Sequence, residues 1–283
     1  MSIALALAIV GVAPLARAEV VRLIGSSTFG QAFQAAAPAL KSELGIDLKF
    51  DPQSLSVVAI HAVGSETADL AVITRSLTQE DRSDYPSKRF FEMELGVQVL
   101  VPIVSRETWE SGVKAISKKE FAALYEGALG NWKALGGEDR KIKFFNPEQG
   151  RGVWELFVTW CYGDIRKAPL GKRWEVVLTN QDARDSVEFN SGSISLAPPK
   201  WADGKKVFAL ALREDGGLIE PTEENFRSKK WPISRPLTLV ASTKPTGALR
   251  HMLMFMAGPR GRAALEKAEF VALPEAEAKL VEE

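Results

Sequence analysis

The chain has 283 residues, 46% of them hydrophobic, which is enough to bury a large core and favours two lobes over one layer. Its 36 basic residues balance 36 acidic ones, so no global field favours nucleic acid or an anionic membrane surface, and any anion site must be a local arrangement. The lone Cys161 excludes an internal disulfide and, next to Trp160 in an apolar stretch, reads as a core residue.

The N-terminus carries the one long apolar run, residues 3–15, ending at Ala16-Arg17-Ala18 before Glu19. This small-x-small pattern reads as a signal peptide over 1–18 and implies export to the periplasm. The run has no preceding Lys or Arg, so a retained anchor stays open as the alternative, although it is short for a membrane span. No cysteine lies near the cleavage site to carry a lipid.

Beyond it, β-rich runs are predicted at 20–24, 47–51, 69–75, 97–104, 141–145, 193–197, 207–212 and 237–241. Helical patterns fall at 31–44, 57–64, 118–126, 153–161 and 247–269, the last interrupted by Gly258-Pro259. The alternation predicts an α/β fold with mainly parallel sheets. Residues 202–236, richer in Gly, Pro and charge, read as a long excursion that returns to an earlier sheet.

The most informative segment is Leu23-Ile24-Gly25-Ser26-Ser27-Thr28-Phe29, an apolar strand running into a glycine and three hydroxyls. Phe29, Phe33, Ala36, Leu40 and Leu44 then recur at helical spacing. Ser26 to Thr28 therefore sit at a helix start, where unpaired N–H groups and the dipole favour negative charge. Ordinary N-capping explains the same residues equally well.

Catalytic readings find little support. There is no Gly-x-Ser-x-Gly elbow, and His61 and His251 are the only histidines. Two isolated histidines and one cysteine give no zinc spacing, and no Gly-x-x-x-x-Gly-Lys-Ser/Thr loop is present. The sequence thus predicts no enzyme, no catalytic residue, no metal and no cofactor.

The order of segments carries a resemblance. GSSTF at 25–29 is followed by SLSVVAIHAV and DLAVITRSL at 69–77, then GVQVLVPIVS and SKKEFAALYEGALGNWKALGG. EQGRGVWELF, GSISLAPP, WPISRPLTLV and MLMFMAGPRGRAALEKAEFVALP complete the series. In this order they resemble the phosphate-binding proteins of phosphate ABC transporters, within the periplasmic solute-binding superfamily. The resemblance implies a two-lobed, type II venus-flytrap fold with the ligand between lobes. Residues 19–96 plus 236–283 would form one lobe and 97–235 the other.

The resemblance also implies a site. Ser27, Thr28 and Phe29 match the first loop, with the Thr28 hydroxyl and backbone N–H groups as donors. Ser56 falls at the second-loop serine, flanked by Leu55 and Val57 where the family has glycines. Thr74 occupies a position that carries Asp in some phosphate binders, and a hydroxyl there discriminates less between phosphate and sulfate. Arg75 follows the pattern as a bridge between loops or lobes, with direct ligand contact as the alternative. Gly150-Arg151-Gly152-Val153 stands where Gly-Ser-Gly-Thr is expected, and Asn146-Pro147 replaces the upstream arginine. Arg151 either supplies an oxyanion fork between Gly150 and Gly152 or pairs with Glu148 or Glu155 at the surface.

These observations lead to an exported, monomeric solute-binding protein that captures inorganic phosphate or a related oxyanion for an ABC permease. The altered third loop makes a sensor or interaction protein with a weakened pocket the alternative.

Overall fold

A computed structural model describes residues 18–53, 55–169 and 174–274; the expected signal peptide lies outside them but for Ala18. The chain first lays down β1 (Glu19–Gly25), α1 (Ser27–Leu44), β2 (Ile46–Pro52), α2 (Ser56–Gly64), β3 (Leu70–Ile73), α3 (Gln79–Ser83) and β4 (Phe91–Val99). It then crosses into β5 (Val101–Ser105), α4 (Arg106–Glu110), β6 (Ala115–Ser117), α5 (Lys118–Tyr125), β7 (Lys143–Pro147), α6 (Gly152–Tyr162), β8 (Trp174–Val177) and α7 (Asn180–Phe189). β9 (Ser193–Ala197), β10 (Val207–Ala209), β11 (Ala211–Glu214), β12 (Gly217–Ile219) and α8 (Glu223–Arg227) complete that excursion. The return supplies β13 (Ser234–Ala241), α9 (Gly247–Ala257), α10 (Pro259–Lys267) and β14 (Val271–Ala272).

Two lobes result, as expected. One is built on a six-stranded sheet ordered β14-β4-β13-β3-β1-β2; the other on a five-stranded sheet, β10-β5-β9-β7-β8, with a three-stranded sheet, β12-β11-β6. The sheets are mixed rather than mainly parallel. β1 pairs in parallel with β2 and β3, and β7 with β8 and β9, because helices carry the chain back between them. β13 runs antiparallel to β3 and β4, since it enters the first sheet from the opposite lobe.

Local patterning explains the elements. The stripe predicted on α1 is buried at Phe29, Phe33, Ala36 and Leu40, while Leu44, at the fraying end, is 39% exposed. Gly45 then ends the helix in the left-handed region at φ 67°, where glycine carries no Cβ penalty. β3 (Leu-Ala-Val-Ile) is buried throughout, as a central strand with both faces covered should be.

The run predicted as one strand over 97–104 breaks at Leu100. There the chain passes between lobes, and the Leu100 N–H donates to the Ile233 carbonyl of the returning segment at 3.0 Å. Trp231, fully buried, donates its Nε1–H to the Leu100 carbonyl at 2.8 Å. The two crossings are thereby tied to each other. The predicted strand at 207–212 divides in the same way: Leu210 donates to Pro102 O, and the chain turns from one sheet to the next.

Cys161 packs at the edge of the second lobe's core, where burial pushes its thiol up to about 12. It is protonated at pH 8 and therefore a poor nucleophile. Alkylation by iodoacetamide at that pH should be at least about tenfold slower in the folded protein than in urea, given that only the thiolate reacts. Equal rates would contradict the packing.

Candidate functional site

Strand ends and helix starts meet where the two lobes face each other. A cavity of ≈100 Å³ there is lined by Ser26, Ser27 and Thr28 from the start of α1, Ser56 from the start of α2, and Gly150 and Gly152 from the start of α6. Gln53 and Thr74 follow β2 and β3, and Glu155 and Arg235 complete the lining. The cavity is well below the ~300–1,000 Å³ of pockets for drug-sized ligands.

The three helix starts share one property. Each leaves backbone N–H groups without an intrahelical acceptor, and each carries about half a positive charge from its dipole. Neither α2 nor α6 receives a side-chain cap. In α1, Ser26 Oγ accepts from Phe29 N at 3.3 Å, which leaves the amides of Ser27 and Thr28 as the first-turn donors.

Arg235 brings the full charge. It lies on β13 immediately after the second crossing, paired in register with Gln98 of β4, and its side chain is only 20% exposed. Its Nε donates to Gln98 Oε1 at 2.7 Å and its Nη2 to Gly152 O at 3.4 Å, while Glu155 Oε2 is 3.8 Å from Nη1. Burial pulls the guanidinium below its ordinary range, and Glu155 opposes that shift. A long ion pair and two hydrogen bonds to neutral acceptors leave the buried cation short of negative charge.

Two glycines shape the cradle for different reasons. Gly150 has φ +88°, a left-handed backbone that L side chains adopt at a cost, with open space around it. Gly152 is instead crowded: a Cβ there would sit 2.9 Å from Arg235 Nη2 and 3.3 Å from Thr28 Oγ1. Only a glycine lets the α6 backbone, the Thr28 hydroxyl and the guanidinium approach this closely.

Of the residues singled out by sequence, Ser27, Thr28, Ser56, Thr74, Gly150 and Gly152 therefore line one small cavity. Leu55 and Val57, which flank Ser56, turn their side chains to solvent at 61% and 57% exposure and leave its approach clear. Phe29 is elsewhere: its ring is fully buried against Phe33 and Phe270, and its N–H is taken by Ser26. Arg75 lines neither this cavity nor the adjoining one. It forms a fork to Asp81 at 2.5 and 2.9 Å and donates to Ser76 O, which ties the loop after β3 to α3. Arg151 lines an adjoining cavity of ≈400 Å³, and Glu155, one of its two envisaged partners, pairs with Arg235 instead.

Sequence reasoning passed over Arg235 and Gln98, and considered Glu155 only as a surface partner of Arg151. Gln98 gave a signal, being a polar residue inside an apolar strand, and it is 4% exposed. Among the described residues no group of three or more His, Cys, Asp or Glu is placed to hold a metal, and no helix is long and apolar enough to cross a membrane. His61 meets the Tyr85 hydroxyl on the outer side of α2.

Comparison with known proteins adds the lineage. A family model described as a PBP superfamily domain matches residues 13–260. The phosphate-binding protein PstS of Borreliella burgdorferi is 22% identical over 229 residues, 79% of each chain. Its crystal structure, from Borrelia burgdorferi PstS, superposes with a TM-score of 0.72 over 90% of this chain and 98% of that one, at 22% identity. A possible phosphate binding protein from Planctomyces limnophilus gives 0.77 over 94% and 97%, at 16% identity.

Proposed function

The chain belongs to the PBP superfamily, and on that premise we propose that it is the substrate-binding protein of a phosphate-type ABC transporter, holding the oxyanion between its lobes. The observation that carries this reading is the convergence of three helix starts and Arg235 on one ≈100 Å³ cavity. Three dipoles contribute roughly +1.5 charges in sum, which with Arg235 outweighs the single carboxylate of Glu155. The surplus favours an anion, and the hydroxyls of Ser27, Thr28, Ser56 and Thr74 supply further donors. The names of the relatives point the same way, since those proteins are phosphate-binding proteins.

Arg235 also answers the departure in the third loop. Where the resemblance leaves Asn146-Pro147 in place of an arginine, Arg235 brings a guanidinium to the cavity from the returning strand. We therefore favour transport over a sensor with a weakened pocket. Delivery to a membrane permease and residence in the periplasm belong to this proposal.

Glu155 sets the selectivity. Thr74 gives no carboxylate to this cavity, but Glu155 does. Phosphate near neutral pH keeps a proton that can be donated to that carboxylate, whereas sulfate has none and meets only repulsion. Calorimetric titration should therefore show phosphate bound at least about tenfold more tightly than sulfate, the scale of one charge-assisted hydrogen bond. Glu155→Gln should narrow the gap by admitting sulfate. Equal binding of both ions by the unaltered protein would contradict this role for Glu155, and binding of neither would overturn the oxyanion reading.

A further inference from the structure

The small cavity adjoins a second space that a single inorganic ion leaves unused. This chamber measures ≈400 Å³ and shares Ser27, Thr28, Gly150 and Gly152 with the cradle. Its size falls in the ~300–1,000 Å³ range typical of sites for organic ligands. Both lobes wall it, with the segment 267–270 on one side and Asn180 and Pro198 on the other.

The chamber is not a gap between lobes held apart. Glu269, in its wall, reaches from the first lobe to the second, accepting from Asn180 Nδ2 and, at 3.1 Å, from Trp201 Nε1. Lys200 adds an ion pair to the same carboxylate at 3.2 Å. The lobes already touch at the chamber wall, so the space belongs to the joined arrangement.

Its electrostatics are unbalanced. Arg151 lines this chamber and not the cradle, and its Nη1 is buried with no hydrogen-bond partner. An unpaired buried donor on a charged group is costly, and more so than on a neutral one. Two nearby carboxylates are engaged elsewhere, Glu155 facing Arg235 and Glu269 held by three groups of the second lobe. Glu148, the other partner expected for Arg151, is exposed, lies outside the chamber lining and forms no ion pair with it. Lys267 also lines the chamber and adds a second cation. The charge that is missing is negative, and the cradle lies next door.

We propose that the ligand is a small phosphate monoester bearing a second anionic group, with its phosphate in the cradle, its organic part in the chamber and its second anion on Arg151. This deepens the oxyanion reading of the small cavity and rests on it. The guanidinium at the helix start offers a planar fork that suits a carboxylate or a second phosphoryl group. Discrimination follows from the same feature, because a ligand lacking the second anion leaves Arg151 as unpaired as it is now.

The test is calorimetric titration of the full chain with inorganic phosphate and with 3-phosphoglycerate, before and after Arg151→Ala. The unaltered protein should bind 3-phosphoglycerate at least about tenfold more tightly than phosphate, as one additional charge-assisted contact implies. Arg151→Ala should remove that advantage while weakening phosphate binding far less, since Arg151 lines the chamber and not the cradle. Arg151→Gln, which keeps the stem and hydrogen-bonding capacity, should show the same selective loss if alanine impairs folding. Phosphate bound as tightly as 3-phosphoglycerate, or equal weakening of both by the substitution, would overturn the proposal and leave the oxyanion site standing. Binding of neither compound would overturn both.

Discussion

Replacing Arg235 with alanine is expected to weaken phosphate binding by at least about 2 kcal/mol, a factor of about 30, because hydrogen bonds to charged groups contribute roughly 1.5–3 kcal/mol. The expectation follows from what surrounds the guanidinium. It is four-fifths buried on a strand that pairs across to Gln98, and its nearest carboxylate is 3.8 Å away. Bound phosphate would give this cation the short, charged partner that it lacks. Folding should suffer less than binding, since removing a desolvated charge relieves a cost and Glu155, whose side chain is 40% exposed, can return to water. Arg235→Lys should fall between, as an ammonium keeps the charge but cannot hold Gln98 and an oxyanion with one planar fork. Calorimetry on both variants, with thermal melts as the folding control, separates the effects. Unaltered affinity in the alanine variant would remove Arg235 from the site.

The second large effect is expected from a single added carbon. In Gly152→Ala the new Cβ sits 2.9 Å from Arg235 Nη2 and 3.3 Å from Thr28 Oγ1, so it occupies the space where the α6 backbone meets its two neighbours. Phosphate affinity should fall at least about tenfold, and Gly152→Val, with two further methyls, should show no measurable binding. Stability should change much less. Gly152 opens α6 with no left-handed constraint, so the backbone accepts alanine, and the contact to be relieved is the far end of the flexible Arg235 side chain. A melt that holds while binding falls would be hard to produce by misfolding. Binding that survives the valine variant would show that the cavity around Gly152 holds no anion.

How much of this was legible in the sequence depends on the distance over which each signal acts. Gly25 to Thr28 announced themselves locally, as a strand passing through glycine into hydroxyls and an amphipathic helix, and Ser26 indeed caps α1. Gly25 also shows why the turn needs that residue: at φ +132°, a Cβ would lie 2.1 Å from the Val72 carbonyl. The strand breaks at Leu100 and Leu210 were invisible, because an apolar run has the same period whether the chain continues straight or turns into another sheet. The helix at Asn180–Phe189 went unassigned despite a capping box at Thr179 and Asp182, since its buried stripe is only Ala183 and Val187.

Arg235 was missed for a deeper reason. It sits in WPISRPLTLV, a segment read for its place in the series and not for its charge, and its partner Gln98 lies 137 positions earlier. Only the pairing of the two crossing strands brings them together, and a linear reading does not see strand registers. Glu155 entered only as one of two alternative partners for Arg151, because one helical turn separates them, the usual spacing for a helix-surface pair. The structure turns Arg151 into the chamber and gives Glu155 to Arg235. Local chemistry thus pointed to the start of α1, the resemblance alone pointed to Ser56, Thr74, Gly150 and Gly152, and charges delivered by tertiary pairing had to be seen in place.

The central claim is that the starts of α1, α2 and α6 and the guanidinium of Arg235 hold one anion together. The most direct measurement is a crystal structure of the protein grown with arsenate, a phosphate analogue whose arsenic can be located by anomalous scattering. The account predicts a single dominant peak within hydrogen-bonding reach of Thr28, Ser56, Gly152 and Arg235. A saturated crystal with that cavity empty, or with the arsenic bound on another face of the molecule, would contradict it.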